Sequence, residues 1–189
     1  MNKSLTAVIC GLALVVAAGA QAATLDGLTL SAEYRFPTLD AAYQSATATG
    51  PFTVGPGEDA VIDVEGVTRL HFDFEGNQLT VRLDTELSSP TWTDTAFNGV
   101  RIELETPGAG VFTGFEVVTS TLNGVVTPSF DADALMFDWG GASYVDGSAV
   151  VFSFGFDPAP VPLPATLPLM GAGLAGLACL RRRAKQRAV

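Results

Sequence analysis

Cysteine and basic residues are scarce in the middle of this 189-residue chain. The two cysteines, Cys10 and Cys179, lie in apolar segments near the ends, so residues 23–157 have no disulfide and no cysteine-based metal site. The same middle segment holds all 20 acidic residues and only four arginines, a formal charge of −16. Because phosphate binding needs clustered cations, this composition excludes a nucleic-acid partner.

Histidine is also nearly absent. His71 is the only one in the chain, and it falls on the polar face of a predicted strand, where we expect it to be solvated. Catalytic zinc usually takes two or three histidines, and the sequence has no nucleophile-elbow pattern. We therefore expect a protein that is not an enzyme, with no catalytic residue and no cofactor.

A sustained helical period is missing from the middle segment too, apart from one or two turns at 38–48. Apolar and polar residues instead alternate with period two at 70–74, 79–83, 100–104 and 150–156, and more weakly at 25–31, 52–54, 60–64, 112–120 and 134–139. Gly76-Asn77 indicates a hairpin, and Asn123-Gly124 has the composition of a type I′ turn. The pattern predicts an all-β fold: one antiparallel β-sandwich or jelly-roll-like domain over residues 23–157.

The N-terminal segment has the three parts of a secretory signal peptide. Lys3 precedes an apolar run at 5–18, and Ala20-Gln21-Ala22 forms a small-residue cleavage site. We predict a signal peptide at 1–22, with the Sec translocon and signal peptidase as partners. The alternative is an uncleaved anchor, for which the apolar run is short.

The C-terminal segment also has three parts. A proline-rich stalk at 158–164 leads to an apolar stretch at 165–180, and a basic tail follows at 181–189. The stretch would span roughly 24 Å as a helix, slightly less than the hydrocarbon core of about 30 Å. We predict a transmembrane helix, with the stop-transfer cluster Arg181, Arg182 and Arg183 on the cytoplasmic side. The alternative, a soluble packed helix, would need a polar face.

The proline-rich stalk carries a recognisable motif, made of Val161, Pro162, Leu163, Pro164 and Ala165. Followed by an apolar segment and an arginine cluster, it resembles the VPLPA-CTERM variant of the PEP-CTERM sorting tail. The resemblance implies a Gram-negative exported protein that is anchored transiently in the inner membrane and processed by an exosortase-like enzyme. It also implies delivery to the cell envelope, surface or extracellular matrix, with exopolysaccharide as a partner.

A second sorting signal overlaps this motif. Residues 163–166 also fit the start of the LPxTG signal that sortases recognise in Gram-positive bacteria. Leu167 stands where that signal has glycine, which lets the backbone approach the catalytic thiol. This departure favours the PEP-CTERM interpretation.

Two features of the middle segment suggest ligands. Asp131 and Asp133, in a predicted loop, are weak candidates for calcium, because paired carboxylates suit this cation where adjacent loops supply carbonyl ligands. Trp92 lies in a polar, loop-like stretch and is a candidate glycan platform, although a hydrophobic plug under a loop is the simpler interpretation. The alternative function is therefore a secreted glycan- or calcium-binding module tethered by its C-terminal anchor.

Overall fold

A computed structural model describes residues 24–160 of the chain. The predicted signal peptide, transmembrane helix and basic tail lie outside these residues, as do the sorting motif and the cleavage-site residues Ala20 and Ala22. Ten strands follow one another in this part of the chain: β1 Thr29–Arg35, β2 Thr49–Thr53, β3 Ala60–Val64, β4 Thr68–Glu75, β5 Gln78–Thr85, β6 Gly99–Leu104, β7 Gly110–Ser120, β8 Thr127–Phe130, β9 Ala134–Asp138 and β10 Ala149–Pro158.

The strands form two antiparallel sheets of five strands each. One sheet has the order β2-β1-β6-β9-β8 and the other β3-β4-β5-β10-β7. The prediction of an all-β, antiparallel, sandwich-like fold is confirmed. The described residues contain no helix, so the predicted turns at 38–48 are not helical; Ala42 instead pairs with Arg35 and Ala46 with Val64 as isolated bridges. Between residues 24 and 160, therefore, nothing helical is long and apolar enough to cross a membrane.

Alternation fixes which face of each strand is buried. In β4, for example, Leu70, Phe72 and Phe74 are buried while Asp73 is exposed. The predicted hairpin is present, since Glu75 pairs with Gln78 across Gly76-Asn77. Only the first of these two turn residues has a positive φ, 61° at Gly76, which is the pattern of a type II′ turn.

The second predicted turn is not a type I′ turn. Asn123 forms an isolated bridge with Ser143 and has no positive φ, while Gly124 adopts a φ of 146°. A Cβ on Gly124 would lie 2.6 Å from the Cα of Ala142, so close backbone approach is what requires glycine here. The conformation of this segment is therefore set by packing between the loops that contain Gly124 and Ala142, and not by a hairpin.

The core lies between the two sheets and is rich in aromatic rings. Phe137 of β9 packs against Phe152 of β10 with ring centroids 4.8 Å apart, and Phe152 stacks on Phe115 of β7 at 4.7 Å. Burying a side chain of this size stabilises the fold by roughly 1.5–3 kcal/mol. These contacts join one sheet to the other and take the place of a disulfide in holding the sandwich together.

Candidate functional site

A cavity of about 150 Å³ opens at one end of the sandwich. It lies between the end of β1, the turn that joins β3 to β4, and the segment 87–93. Five aromatic side chains line it, together with aliphatic and hydroxyl groups: Tyr34, Phe36, Tyr43, Trp92 and Tyr144. Pockets lined in this way by apolar groups and a few polar ones are typical of small-ligand sites.

Trp92 is held inside this end of the sandwich by a stack of rings. Its indole is parallel to that of Trp139 at 5.3 Å and to the ring of Tyr144 at 4.7 Å. Only 9% of the residue is exposed. Trp92 is therefore a buried plug under a loop, the simpler of the two interpretations that the sequence offered, and its contact with a glycan stays a prediction.

The backbone explains why a polar, loop-like sequence buries this residue. The amide of Trp92 donates to the carbonyl of Ala142 at 2.9 Å, and the amide of Gly141 donates to the carbonyl of Trp92 at 2.9 Å. This pairing ties the segment to a second loop and turns the indole inward. Sequence alone could not have shown the partner, because the two loops are far apart along the chain.

A chain of buried hydrogen bonds fixes the inner wall. The Nε1–H of Trp139 donates to the hydroxyl of Tyr34 at 3.0 Å, and that hydroxyl donates to Oδ1 of Asn98 at 2.6 Å. The Asn98 amide in turn donates to the carbonyl of Thr93 at 2.8 Å. Burial raises the pKa of the Tyr34 hydroxyl well above its ordinary value, so this group remains a neutral donor.

Glu65 stands at the edge of the cavity in an unusual backbone conformation. Its φ is 58°, the one positive value among the non-glycine residues of the described chain. Its carboxylate accepts a hydrogen bond from the Tyr43 hydroxyl, and this bond is the main reason that the pKa of Tyr43 is raised. Among the described residues that line the cavity, Glu65 alone carries a charge.

His71 is not a solvated histidine, contrary to expectation. Its side chain is 17% exposed, with Nδ1 2.6 Å from Oε2 of Glu58 and Nε2 3.2 Å from Oδ2 of Asp84. His71 in β4 and Asp84 in β5 lie on the outer face of one sheet and Glu58 lies in the loop before β3; none of the three lines the aromatic cavity. These contacts join β4 to β5 and to the loop that precedes β3, which is a structural role.

Asp131 and Asp133 are close together and already engaged. Oδ1 of Asp131 accepts from the amides of Asp133, at 3.2 Å, and Ala134, at 2.8 Å, at the start of β9. Burial acts to raise the pKa of Asp131, but a side-chain hydrogen bond with Asp133, followed by the two backbone amides, lowers that pKa overall. The same side-chain bond raises the pKa of Asp133. Within residues 24–160 no three metal-ligating side chains are grouped to hold an ion. Calcium binding stays a prediction.

Asp73 gives a pH-dependent prediction. Burial, and then the carboxylates of Asp59, Glu75 and Glu58, raise the pKa of Asp73 in the folded protein. Ionised Asp73 therefore costs stability above its folded-state pKa, and this cost disappears as the pH falls through that value. We expect Asp73→Asn to stabilise the protein by a few tenths of a kcal/mol at pH 7, because the exposed site is screened by solvent.

The gain from Asp73→Asn should vanish near pH 3 and shrink in about 1 M salt, where the Debye length is about 3 Å. Thermal melting of the purified chain at each condition measures it. Glu116→Gln, which removes an exposed carboxylate from β7 of the same sheet, is the control. A destabilised Asp73→Asn variant at pH 7 would contradict the like-charge explanation.

Comparison with known proteins adds one finding. Residues 160–183 match the family model of the PEP-CTERM protein-sorting motif. The matched range begins one residue before the proline motif at 161–165 and ends at Arg183, so it includes every sorting residue that the sequence predicted. The comparisons with curated proteins and with solved structures gave no match.

The matched segment is a small part of the chain and says nothing of the family of the folded domain. It does identify the C-terminal segment as a sorting signal. A PEP-CTERM motif implies export, sorting to the cell envelope or surface, and an exosortase as processing partner. The chain thus carries a PEP-CTERM protein-sorting motif at residues 160–183, behind an all-β domain.

Proposed function

We propose that this chain is an exported, non-enzymatic component of the cell envelope, cell surface or extracellular matrix. An exosortase-like enzyme would process it at a tail of the VPLPA type. The observation that carries the proposal is the match at 160–183, which spans the proline motif, the apolar stretch and the arginines in order. The proposal that the mature domain acts in the cell envelope is based on this sorting signal.

The physical properties of the tail support a two-step route. As a helix, the apolar stretch at 165–180 would insert into the inner membrane, and the basic cluster would hold its end in the cytoplasm. The proline motif would then lie at the opposite boundary of the membrane. Proline cannot continue a helix interior, so this segment would stay extended and accessible to a cutting enzyme.

The folded domain ends very close to the proposed cutting site. Strand β10 runs to Pro158, whose partner on β7 is Gly110, and the motif begins at Val161. The predicted stalk therefore overlaps the last residue of β10. Cleavage after the motif would leave a mature domain that ends just beyond its last strand.

The non-enzymatic part of the proposal is supported by the residues themselves. The one histidine is engaged by Glu58 and Asp84 on the outer face of a sheet. The buried hydroxyl of Tyr34 is committed to Asn98, and that of Tyr144 lies 2.9 Å from the hydroxyl of Thr68. These groups stabilise the fold, and this is the role we assign to them.

Intact-mass analysis of protein from the producing cells tests the processing. We expect the mature mass to lack residues 1–22 and the segment after about residue 164. The double variant Pro162→Ala/Pro164→Ala should keep the tail and accumulate in the membrane fraction. Pro158→Ala, an exposed proline outside the matched range, is the control and should be processed normally.

Two results would overturn the proposal in different ways. A wild-type mature mass that still includes residues 181–189 would make the tail a permanent anchor. Normal processing of the double variant would show that the prolines are not the recognised feature. Loss of processing in the Pro158→Ala control would indicate a folding effect of strand β10.

A further inference from the structure

We propose that the aromatic cavity binds one terminal sugar residue, neutral or amino-substituted, with Glu65 and Trp92 as its polar contacts. A cavity of about 150 Å³ suits a single ring rather than a length of chain. Its lining combines aromatic rings, which would pack against the C–H groups of a pyranose, with the exposed hydroxyl residues Thr91 and Thr93. This proposal goes beyond the sorting function and does not depend on it.

The indole of Trp92 provides an unpaired donor. Its Nε1–H is buried and has no acceptor among the described residues, although the indole lines the cavity. By contrast, the Nε1–H of Trp139, its stacking partner, donates to Tyr34. A buried donor without a partner is costly, and each one in a native protein needs an explanation. Because Nε1 has almost no accessible surface in the free protein, a hydroxyl or ring oxygen of a bound sugar would accept this hydrogen bond after a small rotation of the indole.

The backbone conformation at position 65 disfavours glutamate. Val67 donates to the carbonyl of Val64 at 3.2 Å, closing a turn whose central residues have φ values of 58° at Glu65 and 71° at Gly66. Positive φ at both positions defines a type I′ turn, for which Asn-Gly is strongly preferred. Glutamate is strained there, and strained positions cluster at functional sites. A ligand that binds this carboxylate at the cavity edge would account for glutamate at this position, in addition to the hydrogen bond from Tyr43.

The charge of the site restricts the class of sugar. Glu65 is the one charged residue among the described lining, and the domain around it carries −16. The carboxylate of a uronic acid would be repelled by Glu65. A neutral sugar could donate its hydroxyls to the carboxylate, and an amino sugar would add a charge-assisted hydrogen bond. The order of affinity should therefore be amino sugar, then neutral sugar, then acidic sugar.

Tryptophan fluorescence offers a direct test, because the two tryptophans of the chain are the stacked pair beside the cavity. The purified full chain would be titrated with the methyl glycosides of glucosamine, glucose and glucuronic acid, and with choline. We expect saturable changes with the first two, and affinity for the glucuronide at least about tenfold lower than for the glucosaminide, as expected for loss of a charged hydrogen bond.

Variants of the two polar contacts make the test specific. Glu65→Asn removes the carboxylate and supplies the residue that the turn prefers, so it should weaken glucosaminide binding about tenfold while the melting temperature stays equal or rises. Glu65→Gln gives a second test that keeps the side-chain length. Trp92→Phe keeps a ring but removes the Nε1–H, and should weaken both the amino and the neutral glycoside. Glu86→Gln, which removes a nearby exposed carboxylate outside the cavity, should bind as wild type does.

Several outcomes would overturn the proposal. One is the absence of a saturable change with any glycoside up to about 100 mM. Another is saturation by choline alone, which would make the cavity a site for organic cations. Equal glucosaminide affinity in the wild type and both Glu65 variants would show that the carboxylate does not contact the sugar. Equal affinity in Trp92→Phe would show the same for the indole donor.

Discussion

Gly99→Ala should destabilise the protein by about 3 kcal/mol or more, which corresponds to a fall in melting temperature of roughly 10 °C. Gly99 begins β6, the central strand of its sheet, and pairs with Arg35 of β1 and Asp138 of β9. A Cβ at this position would lie 1.9 Å from the carbonyl oxygen of Phe137. That oxygen belongs to the backbone of β9, so it cannot move aside without breaking the pairing of the two strands.

Gly50→Ala is the matched control for Gly99→Ala. Gly50 lies in the edge strand β2, is exposed, and has nothing within 4 Å of the position a Cβ would occupy. We expect its stability to be unchanged or raised by up to about 0.5 kcal/mol, since alanine restricts the unfolded chain. Urea unfolding of both variants measures the difference. If the Gly99→Ala and Gly50→Ala variants were equally stable, β6 and β9 could move apart with little loss of free energy.

Phe152→Ala should destabilise the protein by about 3–5 kcal/mol, the range found for removal of a buried aromatic ring. Phe152 is fully buried at the centre of the inter-sheet core, stacked on Phe115 and Phe137. Because Phe137 belongs to the other sheet, the substitution removes contacts that join the two layers. The neighbouring strands are fixed by their backbone hydrogen bonds. The space left by the missing ring could therefore close only in part.

Phe130→Ala is the control for Phe152→Ala, because it removes the same ring from β8, where 44% of the residue is exposed. We expect a loss of about 1 kcal/mol, because only part of this residue's surface is buried. Denaturant titration of the two variants measures the difference. If the dependence of unfolding free energy on denaturant concentration is unchanged, the effect lies in the folded state. A large loss for Phe130→Ala would instead show that β8 is essential to the fold.

Strands with clear alternation were predictable from the sequence. The four period-two segments lie in β4, β5, β6 and β10, and the five weaker ones overlap β1, β2, β3, β7 and β9. Strand β8 was not predicted, because it is short and contains Pro128. It pairs only with β9, at a sheet edge, where proline is tolerated.

The candidate cavity could not be predicted from sequence in the same way. Its walls come from β1, the β3–β4 turn and the segment 87–93, and only the closure of the sandwich brings them together. One signal was available: Glu65-Gly66 lies between two strand candidates, where asparagine would be the favoured first residue of a tight turn. The sequence does not show that this turn faces Trp92.

The sequence by itself determined the sorting signal of this protein and its class of fold. A sorting tail is identified by the linear order of its residues, so the match at 160–183 needs no knowledge of the tertiary structure. Period-two alternation likewise fixes strands locally, because successive side chains point to opposite faces. Tertiary structure alone decided that Trp92 is buried, that His71 lies between two carboxylates, and that Glu65 borders an aromatic cavity. These properties depend on contacts between segments far apart in the chain, and such contacts exist only once the two sheets have packed.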